Sequence, residues 1–226
     1  MADENPGAGH RARLRKRLIE GGGDALLDHE LVEYLLALAI PRRDTKDLAK
    51  RLINHFGGFG SLLTADPQAI GRVGDISDGA VAAIKIAQAS AVRLLQSPIR
   101  DRPVLGSWQA LLDYLHADMA HNPVERVRIL FLNAKNMLIR DEPMSDGSVD
   151  EAAVYIREVM RKALDYNATS LIIVHNHPSG DPTPSQQDIR LTRDIADAGR
   201  HLRVIVHDHV IIGARGHSSL RALGLI

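Results

Sequence analysis

The sequence of 226 residues contains no cysteine. This absence excludes disulfides, thiolate nucleophiles, iron–sulfur clusters and every zinc site that needs a cysteine ligand. A metal ion in this chain must therefore be held by His, Asp or Glu, and 11 histidines are present. Aromatic residues make up only 4% of the chain, which argues against a broad base-stacking platform of the kind that binds single-stranded nucleic acid.

The sequence also lacks net charge and long apolar runs. Its 28 basic and 28 acidic residues cancel. Residues 1–100 carry 14 Lys or Arg and 12 Asp or Glu, whereas a dedicated nucleic-acid domain normally has a clear basic excess. The longest apolar stretches, residues 35–40 and 171–174, are far too short to span a membrane. The N-terminus has no signal-peptide pattern, so we expect a cytoplasmic protein without membrane attachment.

The hydrophobic pattern changes its period along the chain and predicts two domains. Before residue 98 apolar residues recur at helical spacing, whereas later short aliphatic runs alternate with a helical stripe at 152–164, which is typical of an α/β domain. Residues 97–103 contain two prolines and predict a linker. We therefore predict an all-α domain over residues 1–98 and an α/β domain over 103–226. The expected helices lie near residues 26–36, 48–53 and 80–95, and the expected strands at 127–132, 170–175, 202–207 and 209–212.

The strongest chemical signal is the run HNHPSGDPTPSQQD, which contains His175, His177, Ser185 and Asp188. Residues two apart on a strand point to the same face, so both imidazoles can converge on one point. Gly180 and the prolines predict a turn, after which Ser185 and Asp188 begin a helix. Two histidines and a carboxylate are enough for a catalytic zinc ion with one open position. A hydrogen-bonded histidine pair and a simple capping box are the alternatives for the separate parts.

This run resembles the JAMM (MPN-plus) zinc motif, and residues 133–226 as a whole are similar to the RadC family of bacterial proteins. The resemblance implies an α/β JAMM domain with a mixed sheet of the cytidine-deaminase-like type. It further implies that His175, His177 and Asp188 bind one zinc ion and that Ser185 stabilises an oxyanion. The implied activity is zinc-dependent hydrolysis of an amide bond in a peptide or isopeptide substrate.

Two further roles are expected at such a site, a general base and a partner that orients a zinc ligand. JAMM peptidases use an upstream glutamate as general base, for which Glu142 is the best candidate and Glu158, in the middle of a helix, a weaker one. For both, the alternative is a solvated surface acid. Asp208 or His209 is expected to orient a zinc-binding imidazole through its second ring nitrogen. The cysteine-dependent site of zinc deaminases does not fit this sequence.

Residues 65–95 resemble a helix-hairpin-helix, a module that binds the DNA backbone through a glycine-containing hairpin. Asp75, Ile76 and Ser77 occupy the hairpin positions, so both glycines are replaced and one of them by an acid. We therefore expect the fold of this module without its phosphate binding.

A basic run at residues 10–17 is the second candidate for nucleic-acid contact, although a solvated helix face is the commoner explanation of such a run. Two alternatives to a peptidase thus stay open: a repair-linked, DNA-associated protein with a non-catalytic zinc site, and a zinc hydrolase that acts on nucleic acid. The oligomeric state is not predictable. The candidate contact residues are Arg13, Arg15, Lys16 and Arg17.

Overall fold

Strands occur only after residue 125 of the described chain, and the elements before that point are helices. The computed structural model describes residues 6–41, 43–74, 76–100, 103–146 and 154–226. The chain forms two units, one up to Ser90 and one from Ala91 onwards. Within the described ranges, no helix is long and apolar enough to cross a membrane.

The N-terminal unit is helical, as predicted. The glycine pair of the FGGFG segment ends its third helix, since Gly57 and Gly58 have φ angles of 78° and 148°, which favour glycine. The buried core of this unit includes Leu36, Leu52 and Ile84. The helices are α1 (Pro6–Gly21), α2 (Asp28–Ala39), α3 (Lys46–Phe56), α4 (Phe59–Thr64), α5 (Pro67–Gly71) and the first part of α6 (Asp78–Arg100), with a 3-10 turn at Gly23–Ala25.

The linker predicted at residues 97–103 is wrong for its first four residues, which are helical. Helix α6 continues to Arg100 with Pro98 inside it. A proline removes one helical hydrogen bond, but Ile99 is only 1% exposed and packs into the core of the C-terminal unit. Burial of this side chain stabilises the last turn of the helix. The domain limits of 1–98 and 103–226 stay predictions.

The C-terminal unit contains a five-stranded mixed sheet with strand order β2-β1-β3-β4-β5. Strands β3 and β4 are parallel, and the other neighbours are antiparallel. All seven residues of β3 are buried, because helices cover both faces of the sheet. The elements are a 3-10 turn (Val104–Ser107), α7 (Trp108–Met119), β1 (Arg126–Leu132), β2 (Leu138–Asp146), α8 (Ile156–Asp165), β3 (Ser170–Asn176), α9 (Gln186–Leu202), β4 (Ile205–Gly213) and β5 (Gly216–Ser219).

Alternating side chains of the sheet pack into two separate cores. Leu130 and Ile172 pack with α7 on one face, and Ile129 and Ile173 pack with α8 and α9 on the other. Since β3 and β4 are joined through α9 and run parallel, the carboxyl end of β3 and the start of α9 lie beside β4. Residues from three elements therefore meet at this end of the sheet.

The two strands predicted at residues 202–207 and 209–212 form one continuous strand, and residue 202 ends α9. The sequence pattern predicted a break between two strands at Asp208. Its carboxylate instead accepts hydrogen bonds from the backbone N–H groups of His209 at 2.7 Å and Arg221 at 3.0 Å, so the charged residue is accommodated within one strand. The pairing with β3 skips His207, which is a β-bulge. The predicted helix 152–164 begins at Ile156, and residues 152–153 lie outside the described ranges.

Candidate metal centre

His175, His177 and Asp188 come together at the carboxyl end of β3. His175 is the last residue but one of β3, His177 follows the strand, and Asp188 lies in the first turn of α9. The Nε2 atoms of the two histidines are 2.9 Å apart. Asp188 Oδ1 lies 3.3 Å from His175 Nε2, and Asp188 Oδ2 lies 3.7 Å from His177 Nε2. The three side chains form a cluster that could hold a metal ion.

The donor set of the cluster is one that zinc binds. Imidazole nitrogen and carboxylate oxygen are both common zinc ligands. With one ligand atom taken from each residue, the three atoms lie within 4.8 Å of one another. Zinc–ligand bonds of about 2.0–2.1 Å place neighbouring ligands of a tetrahedron about 3.3–3.4 Å apart, so small shifts of these side chains would bring all three onto one ion.

The loop after β3 fixes the orientation of His177. Gly180 has a φ of 78° and its N–H donates to the His177 carbonyl at 2.9 Å, so the predicted turn is confirmed. The turn brings the Asp181 carbonyl to 2.8 Å from His177 Nδ1. A carbonyl oxygen only accepts hydrogen bonds, so Nδ1 carries the hydrogen. The lone pair of His177 Nε2 consequently points towards His175 and Asp188.

The electrostatic environment differs among the three side chains. Burial lowers the pKa of His175 to about 4, so its ring is neutral at neutral pH. The adjacent Asp188 carboxylate raises the pKa of His177 above its ordinary value. Burial alone would raise the pKa of Asp188, but the neighbouring His177 and His175 and the hydrogen bonds with Ser185 lower it overall. The carboxylate is therefore ionised.

Ser185 and Asp188 form the capping box that the sequence suggested as an alternative. Ser185 Oγ accepts from the Asp188 N–H at 3.1 Å, and Asp188 Oδ2 accepts from the Ser185 N–H at 2.7 Å. The cap and the metal cluster are compatible, because Asp188 Oδ1 is directed to His175. The capping box holds the carboxylate in place against the histidines.

His209, rather than Asp208, contacts a histidine of the cluster. His209 Nε2 lies 2.7 Å from His175 Nδ1, and burial lowers the pKa of His209 well below its ordinary value. Asp208 instead accepts from Ser219 Oγ and from two backbone N–H groups of β4 and the C-terminal turn. Its carboxylate accepts hydrogen bonds from backbone groups near the bulge of β4 and does not orient an imidazole.

The structure does not bring Glu142 or Glu158 to the cluster. Glu142 lies on β2, which β1 separates from β3, and its carboxylate accepts from Lys162 Nζ at 3.1 Å and Tyr166 OH at 2.9 Å. Glu158 pairs with Arg161 at 3.0 Å on α8. Both acids make structural ion pairs instead of facing the histidines.

Glu125, which the sequence interpretation missed, lines the cavity at the cluster. This cavity has a volume of about 260 Å³, and Glu125 lies just before β1 at its rim. The carboxylate is close enough to contribute to the raised pKa of His177. The available signal was an acid two residues before the predicted strand 127–132, but the pairing of Val127 with His175 was not predictable from local pattern. The other lining residues are Val127, His175, His177, Ser185, Gln187, Asp188, Leu191 and His209.

Asn176, between the two histidines, fixes the segment that carries Glu125. Its Oδ1 accepts from the Arg126 N–H at 3.0 Å, and its Nδ2 donates to the carbonyls of Asn122 at 3.3 Å and Val124 at 3.1 Å. The side chain is fully buried, so these bonds are shielded from water. Asn176 thereby ties the chain before β1 to the end of β3.

The basic run of α1 is partly used within the N-terminal unit. Arg17 donates to both carboxylate oxygens of Glu30, at 2.7 and 2.8 Å, and Lys16 lies 4.0 Å from Glu20. Arg13 and Arg15 are exposed. Part of the run therefore serves the helical unit itself, and a contact of its exposed arginines with nucleic acid stays a prediction.

The predicted hairpin lies between α5 and α6, at residues 72–77. Ser77 accepts a hydrogen bond from the Ala80 N–H at 3.3 Å and begins α6, so its hydroxyl serves as a helix cap. Asp75 lies outside the described residues. The identity of this segment as a helix-hairpin-helix stays a prediction.

Fold and cluster together define an α/β domain with a His–His–Asp centre at the end of its central strand. A family model described as the RadC-like JAB domain matches residues 105–225. A UPF0758 protein of Rhodobacter capsulatus is 50% identical over 213 residues, which cover 94% of this chain and 100% of that relative. A UPF0758 protein of Ruegeria pomeroyi is 46% identical over 217 residues, or 96% and 97% of the two chains. The chain belongs to the RadC-like JAB domain family, as its sequence predicted.

Proposed function

We propose that this chain is a zinc-dependent hydrolase of amide or isopeptide bonds. One observation carries the proposal: His175, His177 and Asp188 converge at the end of β3, with one ligand atom from each within 4.8 Å of the others. His177 Nε2 presents a lone pair towards His175 Nε2 at 2.9 Å, beside an ionised carboxylate. Two imidazoles and one carboxylate form a donor set that zinc binds with one position left open.

The residues around the cluster supply the other parts of a hydrolytic site. When bound, a zinc ion supplies Lewis acidity, which acidifies water and polarises the substrate carbonyl. Glu125, in place of Glu142, takes a proton from the attacking water and returns it to the leaving amine. Ser185 Oγ accepts from the Asp188 N–H and keeps its own hydrogen for donation to the carbonyl oxygen as negative charge develops there.

The charge of the cavity favours a neutral amide over a nucleic acid. Its lining contains Glu125 and Asp188, and within the described part of the chain no Lys or Arg is among its lining residues. Binding of a polyanionic phosphate backbone depends on Lys and Arg side chains. An amide bond carries no net charge and can approach two carboxylates without this repulsion. We therefore place peptides and isopeptides before nucleic acids as substrates.

Metal analysis and a substrate panel test the proposal. The full chain, purified without chelator, is expected to contain one zinc ion and to hydrolyse members of a peptide and isopeptide library. The variant His175→Ala should lose both zinc and activity. His201→Ala is the matched control, because His201 is exposed on α9 outside the cavity, and it should behave as the wild type. A chain that binds no zinc, or a His175→Ala variant that keeps it, contradicts the proposal.

The role of Glu125 has its own test. Glu125→Gln removes the proton acceptor while preserving size, so we expect kcat to fall about 10²–10⁴-fold with the zinc content retained. Glu142→Gln should change kcat little, since Glu142 is bonded to Lys162 and Tyr166. The reverse pattern would restore Glu142 as the base. Cleavage of single- or double-stranded DNA but of no peptide would favour the nucleic-acid hydrolase instead.

A further inference from the structure

The two residues alone do not determine which of them donates in the hydrogen bond between His175 and His209. The two rings face each other through His175 Nδ1 and His209 Nε2 at 2.7 Å, and either nitrogen can be the donor in a neutral pair. Both side chains are about 1% exposed, so water does not compete for these atoms. The direction matters, because a neutral imidazole carries only one hydrogen. If His175 does not carry it on Nδ1, it carries it on Nε2, within the metal cluster.

Thr192 on α9 contacts the far side of His209 and has only one hydrogen to donate. Its Oγ1 lies 2.5 Å from the Asp188 carbonyl oxygen and 2.6 Å from His209 Nδ1. The carbonyl oxygen is solely an acceptor, so the hydroxyl hydrogen must be directed to it. The same hydroxyl oxygen then has only lone pairs for His209. His209 Nδ1 is consequently the donor to Thr192.

The position of the hydrogen on His209 determines its position on His175. With its hydrogen on Nδ1, neutral His209 has a bare Nε2, which accepts from His175 Nδ1–H. His175 Nε2 is then bare and faces His177 and Asp188. We propose that Thr192 is a positioning residue that fixes the hydrogens of His209 and His175, so that His175 presents a lone pair to the metal. The metal part of this inference rests on the proposed function, whereas the hydrogen positions do not.

Removal of the Thr192 hydroxyl should reverse the direction of the hydrogen bond between His175 and His209. In Thr192→Val the hydrogen on His209 Nδ1 would be buried without an acceptor, which is costly. The pair avoids this cost when His209 carries its hydrogen on Nε2 and donates to His175 Nδ1. The hydrogen of His175 then lies on Nε2, where zinc must displace it. Loss of such an orienting partner typically weakens metal affinity about 10–100-fold.

The first measurement uses metal-free, ¹⁵N-labelled full-length protein. Long-range ¹H–¹⁵N spectra distinguish a protonated from a bare ring nitrogen, and we expect hydrogens on Nδ1 of both His175 and His209. Thr192→Val should move the His175 hydrogen to Nε2, and Thr192→Ser should restore the wild-type pattern. Thr64→Val is the matched control: Thr64 Oγ1 makes the same kind of bond, to the Gly60 carbonyl at 2.9 Å in α4, away from any histidine of the cluster.

The second measurement is zinc affinity by chelator competition. We expect Thr192→Val to bind zinc about 10–100-fold more weakly, with Thr192→Ser and Thr64→Val close to the wild type. A wild-type spectrum with hydrogen on Nε2 of His175 overturns the inference, even if Thr192→Val fails to fold. So does a folded Thr192→Val with unchanged spectra and affinity. A wild type that has the expected hydrogens but no zinc affinity would instead refute the proposed function and leave the role of Thr192 intact.

Discussion

Two partly buried polar clusters lie on opposite faces of the same sheet, and they differ in the charged groups that they contain. On the face that packs with α7, Arg128 lies 2.7 Å from Asp118 Oδ2 and 3.2 Å from Asp141 Oδ1. Tyr114 OH donates to Asp141 Oδ2 at 2.7 Å, and Gln96 donates to Tyr114 at 2.9 Å. The cluster on the other face, at His175, contains two histidines and one carboxylate that converge, and it has no Lys or Arg among its described lining residues.

The presence or absence of an internal arginine distinguishes a structural ion cluster from a candidate metal site. The guanidinium of Arg128 pairs with both carboxylates, so that cluster contains a cation supplied by the fold itself. The cluster at His175 has no Lys or Arg among its described lining residues, and the proposed zinc ion would supply its cation. Burial and perturbed pKa values occur in both, since burial raises the pKa of Asp141 and lowers that of His175 to about 4. The missing internal cation is the distinguishing feature.

Removal of Arg128 should have the largest effect on stability. Arg128→Ala leaves the half-buried carboxylates of Asp118 and Asp141 without their cation. Breaking a fully buried pair costs about 3–5 kcal/mol, and the partial exposure here reduces the expected loss to about 3 kcal/mol. Zinc affinity should be unchanged in the fraction that stays folded, because Arg128 faces away from His175. Urea unfolding and chelator competition measure the two quantities.

Arg140→Ala is the control for this change. Arg140 is an exposed arginine on the neighbouring strand β2, so the free energy of unfolding should change by no more than about 0.5 kcal/mol. A loss in Arg128→Ala that does not exceed the loss in Arg140→Ala would show that the cluster on the α7 face is not a matched ion network.

Acid should destabilise the metal-free protein through the histidine cluster. The pKa of His175 is lowered from 6.5 to about 4 in the folded chain, so the unfolded chain binds the proton first. The stability contributed by neutral His175 is present above pH 6.5 and is lost as the pH falls towards 4. Between pH 7 and 5 this loss amounts to about 2 kcal/mol. The raised pKa of His177 acts in a different window, since its contribution is lost as the pH rises above 6.5.

Unfolding in urea at the two pH values, with a chelator present, checks this prediction. His175→Ala should show a smaller loss of stability on acidification than the wild type, whereas the exposed His201→Ala should show the full loss. Equal losses in all three proteins would place the acid sensitivity outside the cluster.

The part of the site that is local in sequence was predictable. His175, His177 and Asp188 lie on one strand, loop and helix, and the side-chain period of a strand together with the capping pattern of Ser185 brings them together without knowledge of the sheet. Helix ends marked by glycine, as at Gly57, were predictable for the same reason.

The nonlocal part was not predictable, because it depends on strand order and register. Glu125 reaches the cavity since β1 pairs with β3, whereas Glu142 sits one strand further out. Thr192 and His209 meet only because β4 lies parallel to β3 beneath α9. The linker prediction at Pro98 failed for another reason. A proline lowers helix propensity, but the packing of Ile99 outweighs this effect.

The smallest and sharpest comparison deletes one hydroxyl from each cluster. Tyr114→Phe removes a donor to Asp141, which remains paired with Arg128, so we expect a loss of about 1–2 kcal/mol in unfolding free energy and no change in zinc affinity. Thr192→Val should have a loss of stability of similar size, but it should also weaken zinc binding. Differential scanning calorimetry and chelator competition on the two variants, side by side, decide the matter. Weakened zinc binding in Tyr114→Phe would mean that the two faces of the sheet are coupled. The cluster on the α7 face could then no longer be treated as purely structural.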